Sequence, residues 1–461
     1  MLTDILTAQK VFFPADAHTE LRGQLNRTRR VVLLSGNLVQ NSRTDVSGVS
    51  ARVYKNGVYG FSSMAEYSPE AARAVLSAAA ENAAFMDSHV RKGKPPLPPV
   101  GGGRLLPERD IADAAQSVYT DFVRAVDARV AARYKNLVSR RVVVYEDSME
   151  KLLRVSEGLD AHTIAPRSYC YVFMTAETPA GTPVELFAAA GGGGVFSENF
   201  SDPAALDDMT DRLYEDVMAK REGIYADAGE KTVILGGMMT GMLSHEAVGH
   251  TVEGDIVLGG SVAARYLGKR VASDKVTMTD FAVSAFGRRV PLPVFADDEG
   301  TPARDVTLIR DGILTGYMNS RESSLYFGME PCGNARAWLF SDEPLIRMRN
   351  TAIHPGTDKL EDMIASVDDG YYLLSSGNGQ ADTTGEFMFG VTMGYEIKKG
   401  KLGRAILDTT VSGVAFEMLK SVDMVSDEVV WASSGFCGKK QPMSVSMGGP
   451  ALRCRITIGG R

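Results

Sequence analysis

The chain has 461 residues, 44% hydrophobic and 23% charged, with a formal net charge of −7. That is the balance of a globular protein long enough for two or three domains with large apolar cores. It argues against a membrane protein, because no apolar run reaches the roughly 18 residues a span needs, and against a nucleic-acid binder, whose Lys and Arg gather on one face.

The opening "MLTDILTAQKVFFPAD" does not match a signal peptide, lacking a basic stretch followed by a clean apolar one. Residues 31–63 are rich in β-branched and aromatic residues, broken by "SGN" and "KNG", and read as strands with a hairpin at Asn56-Gly57. "SPEAARAVLSAAAENAAFM" then begins a helix, with Ser68 as N-cap and Pro69 at the first helical position. "KGKPPLPPVGGGRLLP" is too rich in Pro and Gly for a regular element and reads as a linker. "PERDIADAAQSVYTDFVRAVDARV" has helical periodicity, and strand-like runs follow at 140–147, 167–178 and 182–190. "GGGGVF" after them has neither P-loop nor dinucleotide spacing and reads as a tight turn. Residues 206–223 form an amphipathic helix with a Gly stop.

From Lys231 onward short β-like runs alternate with Gly, Asp and Asn turns, the pattern of an antiparallel barrel or sandwich. The fold class is therefore α+β. N-terminal mixed α/β domains occupy 1–91 and 108–224, joined by the linker at 92–107. A mainly antiparallel C-terminal β domain over 225–461 carries a helix with the candidate metal site.

That helix reads "SHEAVGHTVEGD" at 244–255. With six histidines in the whole chain, two of them flanking a glutamate this closely has chance odds of about one in a hundred or less. The spacing is one residue longer than the zinc-peptidase H-E-x-x-H. At about 100° per residue, positions four apart differ by about 40° and share a face, whereas positions five apart differ by about 140°. A straight α-helix would splay the two imidazoles too far for one Zn²⁺ at about 2.0–2.1 Å. So the helix should be distorted between Glu246 and His250, by a π-bulge or by ending early. Gly249 fits either, since glycine tolerates unusual dihedrals.

A catalytic zinc takes three protein ligands and keeps one position open. The third could be Glu253, Asp255, His354 or a cysteine. Of the four cysteines none forms a C-x-x-C pair, which points to a reducing compartment and hence the cytoplasm. Cys170 and Cys454 lie in strand-like runs where a buried structural thiol is the default. Cys437, in the Gly-flanked "SSGFCGKKQ", and Cys332, in "EPCGNARAW", both remain open on chemistry alone. Given such a site, Glu246 is placed to accept a proton from water and return it to the leaving amine, which is amide hydrolysis. Glu253 and Asp255 could orient the imidazoles. Asn334, Arg336, Gln380 and Asp382 could touch substrate, though polar residues in Gly-rich loops are more often turn formers.

The segments "GVSARVYKNGVYGFSS", "GGGGVFSENF", "LSHEAVGHTVEGD", "DDEGTPARDVTLIRDGILTGYM", "GNARAW", "GNGQADTTGEFMF" and "GFCGKKQ", in that order, resemble the TldD/PmbA family and its TldD branch. The resemblance covers nearly the whole chain, except the first 25 residues. It implies a zinc metallopeptidase in which His245, His250 and Cys437 are the ligands and Glu246 is the catalytic base. It also implies a homodimer, or a heterodimer with a TldE/PmbA-type subunit, enclosing a chamber that admits only flexible or unfolded peptides, which would pair as an added strand. The family's older label, modulator of DNA gyrase, is read as reflecting peptide substrates, with no direct DNA contact. The competing readings are a non-catalytic metal-binding partner subunit, a regulator of gyrase-type activity, and two histidines and a cysteine that merely pack a core.

Overall fold

The computed structural model describes residues 1–90, 93, 95–108 and 114–459. Residues 92 and 94 of the expected linker and residues 109–113 of the expected second helix lie outside them.

Two long strands, His18–Leu34 and Asn37–Lys55, pair antiparallel, and Asn37–Lys55 continues into Val58–Met64. Both connections are two-residue turns, Ser35-Gly36 and Asn56-Gly57, with positive φ at both residues. That turn twists with the flanking strands, and Asn-Gly is its favoured sequence. The helix Pro69–Val90 begins where expected, with Ser68 Oγ accepting the Ala71 N–H at 3.1 Å. Its buried face is Ala71, Ala72, Val75, Leu76, Ala79 and Ala83, packed on Leu21, Val49, Val53 and Leu152. The alanines let the helix come close. A Cβ at Gly60 would lie 2.2 Å from the Ala79 carbonyl oxygen, so only glycine fits beneath it.

Ser139–Val155 pairs with His18–Leu34, and Leu159–Glu177 and Pro183–Gly193 extend the same sheet. The strands on either side of the Pro-rich stretch thus form one seven-stranded sheet. Within that stretch Gly103–Leu105 is itself a strand, parallel to Leu159–Ala161. The helices Gln116–Arg133 and Asp207–Arg221 cover the sheet through Val123, Val126, Leu213 and Val217 against Val142 and Val144.

The C-terminal part holds a seven-stranded sheet containing Gly229–Leu235, Asp369–Ala381, Glu386–Lys398 and Leu452–Ile458, and a six-stranded one containing Met278–Phe281, Val306–Arg310, Asn350–Ile353 and Ser446–Gly449. Pairing is antiparallel apart from Thr232–Leu235 with Gly370–Leu373 and Asn350–Ala352 with Ser446–Gly448. The segment 237–252 belongs to the largest core, where Leu243, Ala247, Val248 and Val252 pack with Leu308, Ile353, Leu373 and Phe389. No described helix is long and apolar enough to cross a membrane.

Candidate metal centre

The buried segment changes its winding where the two histidines fall. Gly237–Met242 is α-helical, Leu243–Gly249 is a π-turn, and His250–Val252 closes as a 3₁₀ turn. The His250 N–H donates to the His245 carbonyl, an i→i+5 bond between the two residues whose rings must converge. The wider winding removes most of the splay that five-residue spacing imposes on an α-helix. The rings stand with centroids 5.1 Å apart and planes 78° apart.

Gly249 is present for a different reason than its dihedrals. Its φ of −55° and ψ of −50° are ordinary helical values. A Cβ there would instead lie 2.1 Å from Met348 Sδ and 2.9 Å from the Ser244 carbonyl oxygen. The glycine is where Met348 packs against the turn.

Cys437 arrives on the short strand Phe436–Cys437, paired with Met443–Ser444. Its Sγ is 3.3 Å from His250 Nε2. One ligand atom each from His245, His250 and Cys437 lies within 4.8 Å of the others, a group able to hold a metal ion. His245 is 2% exposed, and neither of its ring nitrogens has a hydrogen-bond partner. An unpartnered buried polar group costs about 1–3 kcal/mol, and a metal ion would satisfy one of the two His245 nitrogens. The donor set suits a borderline-soft divalent ion. Glu246 stands beside the group, its carboxylate oxygens 3.9 Å from His245 Nε2 and 3.7 Å from His250 Nε2, with the side chain 27% exposed.

Outside the three lies a chain of partners. Fully buried Glu253 accepts from His250 Nδ1 at 2.9 Å, which fixes that ring with Nε2 towards Cys437. Lys439 Nζ donates to Glu253 at 3.0 Å and to Asp255 at 2.8 Å, so Asp255 acts through Lys439. The cysteine segment is held by Arg347, whose guanidinium donates to the carbonyls of Cys437, Lys439 and Gln441. Arg347 and Lys439 carry no sequence signal that separates them from other cations, and only the folded chain reveals them.

The metal-free cluster is an ion pair. Burial opposes a thiolate, but the adjacent His245 and His250 outweigh it and lower the Cys437 thiol from 9.0 to about 4. His245 makes no hydrogen bond of good geometry, so its share is one of proximity. Burial likewise opposes a charged His250, but Glu253 and then Cys437 raise it from 6.5 to about 10. The thiolate's share of stability is gained as pH rises from about 4 to 9, and the imidazolium's is lost between 6.5 and about 10. The two cancel between 6.5 and 9, so the metal-free protein should gain stability from pH 4 to 6.5, hold it to 9 and lose it towards 10. The Tm of the chelator-treated wild type, measured across that range, should follow this profile, and Cys437→Ser, which keeps the Glu253–His250 pair, should lack the gain between pH 4 and 6.5. A difference between the two that is independent of pH would refute the ion pair.

The other sequence candidates lie elsewhere. Cys332 is buried, its Sγ donating to the Glu330 carbonyl, and burial raises its pKa. Burial pushes Cys170 and Cys454 up to about 12. His354 Nε2 is 2.9 Å from Thr279 Oγ1, and its ring stacks on Phe281. Asn334 is fully buried and donates to Asp280 and to the Arg347 carbonyl. Asp382 accepts from Thr384 and Glu386 at the exposed turn after Asp369–Ala381, and Gln380 is the next-to-last residue of that strand. Arg336 donates to the carbonyls of Met348 and Ser444 and lines a cavity.

Comparison with known proteins gives consistent matches. The model described as the PmbA/TldA metallopeptidase C-terminal domain matches residues 228–460, that of domain 1 matches 19–83, and that of the central domain matches 104–235. A metalloprotease of Methanothermobacter thermautotrophicus is 29% identical over 448 residues, 96% of this chain and 95% of its own length. A zinc metalloprotease TldD homolog of Saccharolobus solfataricus is 34% identical over 250 residues, 54% of this chain and 56% of its own. The crystal structure of TldE from Thermococcus kodakarensis superposes with a TM-score of 0.76 over 99% of both chains at 18% identity, a likeness of fold.

Proposed function

This chain belongs to the PmbA/TldD metallopeptidase family, and we propose that it is a zinc peptidase of flexible or unfolded peptides in which His245, His250 and Cys437 hold the ion and Glu246 is the general base. The observation that carries the assignment is His245: a buried imidazole with both nitrogens unpartnered, beside a cysteine whose neighbours favour the thiolate. Zinc, when bound, polarises the scissile carbonyl and lowers the pKa of water towards about 7.

The chain's own residues supply the rest. Glu253 and Lys439 keep His250 oriented and in one tautomer. Arg347 holds the backbone that presents Cys437. Glu246, the partly exposed carboxylate of the group, takes a proton from the attacking water and delivers it to the leaving amine. A second subunit, either another copy or a TldE/PmbA-type chain, closes the site to folded proteins in this reading.

The test is hydrolysis of an unstructured peptide and of the same sequence inside a stable folded domain, before and after chelation and zinc return. Cleavage of the free peptide alone, lost on chelation and recovered with zinc, is expected. Cleavage unaffected by chelation would overturn the metal assignment. Light scattering on the same preparation, with and without a PmbA-type chain, reads the assembly, and monomers in both cases would remove the chamber.

A further inference from the structure

Between the N-terminal sheet and the C-terminal part lies a cavity of about 480 Å³. Most of its wall is apolar, including Leu105, Met149, Leu153, Ile164, Leu292 and Phe295. Gly191–Gly193 form a further part of it; Ser168 and Pro291 backbone already crowds the Cβ positions of Gly191 and Gly193, and Gly192 is open.

Five basic side chains line the cavity, and four are matched. Lys151 pairs with Asp298 at 2.6 Å, His162 with Glu150 at 3.0 Å, Arg289 with Glu108 at 2.5 Å, and Arg167 with Asp147. Arg336 is the exception. It donates to the carbonyls of Met348 at 2.8 Å and Ser444 at 3.2 Å, and among the described residues no carboxylate lies within ion-pair distance of it. Burial, then Arg167 and Arg347 nearby, lowers its pKa from 12.5 to about 9, more than Asp298, already paired with Lys151, offsets. Its two anchors also locate it. Met348 packs against Gly249, next to His250, and Ser444 is the strand partner of Phe436, next to Cys437. The guanidinium is thus anchored beside the segments that carry His250 and Cys437, and it lines a cavity whose wall is mostly apolar but also includes Glu108, Asp297 and Asp298.

We propose that this cavity binds the carboxylate end of a peptide with apolar terminal side chains, and that Arg336 receives the carboxylate. The identity of the ligand rests on the peptidase reading; the existence of a carboxylate site does not. A guanidinium matches a carboxylate in a fork of parallel hydrogen bonds, and the apolar wall takes the last side chains. The length of the apolar wall, from Leu105 to Phe295, favours a peptide with apolar terminal side chains over a small acid.

The test uses full-length Glu246→Gln protein, so that cleavage does not consume the probe. A fluorescein-labelled hexapeptide ending in Leu-Phe is titrated with a free carboxylate and with a terminal amide. The acid should bind about 10- to 100-fold more tightly, the range of a charge-assisted hydrogen bond. Arg336→Met should bring the two together. Equal binding of acid and amide by the Glu246→Gln protein overturns the proposal without needing the second variant, which could fold poorly. Persistent discrimination in Arg336→Met overturns the role of Arg336. Decanoate competing as well as the peptide acid would assign the cavity to free carboxylic acids instead. Discrimination by a wild-type protein that hydrolyses no peptide would leave the carboxylate site standing and remove the peptidase reading.

Discussion

Glu246→Gln protein is expected to keep its fold and its metal while hydrolysing peptide about 10²- to 10⁴-fold more slowly, the contribution of a positioned general base. The choice of carboxylate follows from placement. Glu253 is fully buried and committed to His250 and Lys439. Glu246 is 27% exposed and stands 3.7–3.9 Å from both imidazoles, so it alone of the two can meet a substrate. Glutamine preserves the shape and removes the ability to take a proton. The measurement is kcat on an unstructured peptide with metal content determined on the same sample. An unchanged rate in a fully loaded variant would take the base assignment away from Glu246 and revive a non-catalytic role for the chain.

Cys437→Ser should lose the metal itself. A hydroxyl is a harder and far less acidic donor than a thiol already held near pKa 4 by its neighbours. Disturbing only the groups that orient metal ligands costs about 10- to 100-fold in affinity, so replacing a ligand should cost at least that. Elemental analysis after dialysis should show about one ion per wild-type chain and a small fraction of one in the variant, with activity lost in parallel. Retention of a full complement, with the variant still active, would mean that the sulfur is a bystander. Cys332→Ser is the matched control, since its sulfur faces the Glu330 carbonyl and not the imidazoles.

The sequence was most informative where local chemistry decides structure. Two-residue turns at Ser35-Gly36 and Asn56-Gly57 follow from backbone preference alone. The alanine-rich helix follows from its capping serine and its periodic face. The distortion at 243–249 was legible for a stricter reason: five-residue spacing and a shared ion are incompatible with an undistorted α-helix, and the i→i+5 bond resolves that conflict. What stayed hidden depends on partners distant in sequence. Cys437 and Cys332 could not be separated by their flanking residues, because the distinction is which of them lies across from His250. Gly249 was read as a matter of dihedrals, whereas Met348, about a hundred positions later, determines it. Gly103–Leu105 was read as linker because a three-residue strand shows no periodicity and exists only through its neighbour at Leu159–Ala161.

The sheet formed by the first half of the chain also braces the loops of the second. Arg22 donates to the carbonyls of Leu339, Phe340 and Asp342, and Gln24 and Asn26 donate to that of Trp338. Tyr169 and Tyr171 donate to Ser433 and Ser434, just ahead of the cysteine. The thiolate-bearing strand is therefore suspended from both halves, and the C-terminal half is no portable module. Grafted onto another scaffold or expressed by itself, it would carry the right side chains on an unsupported mount.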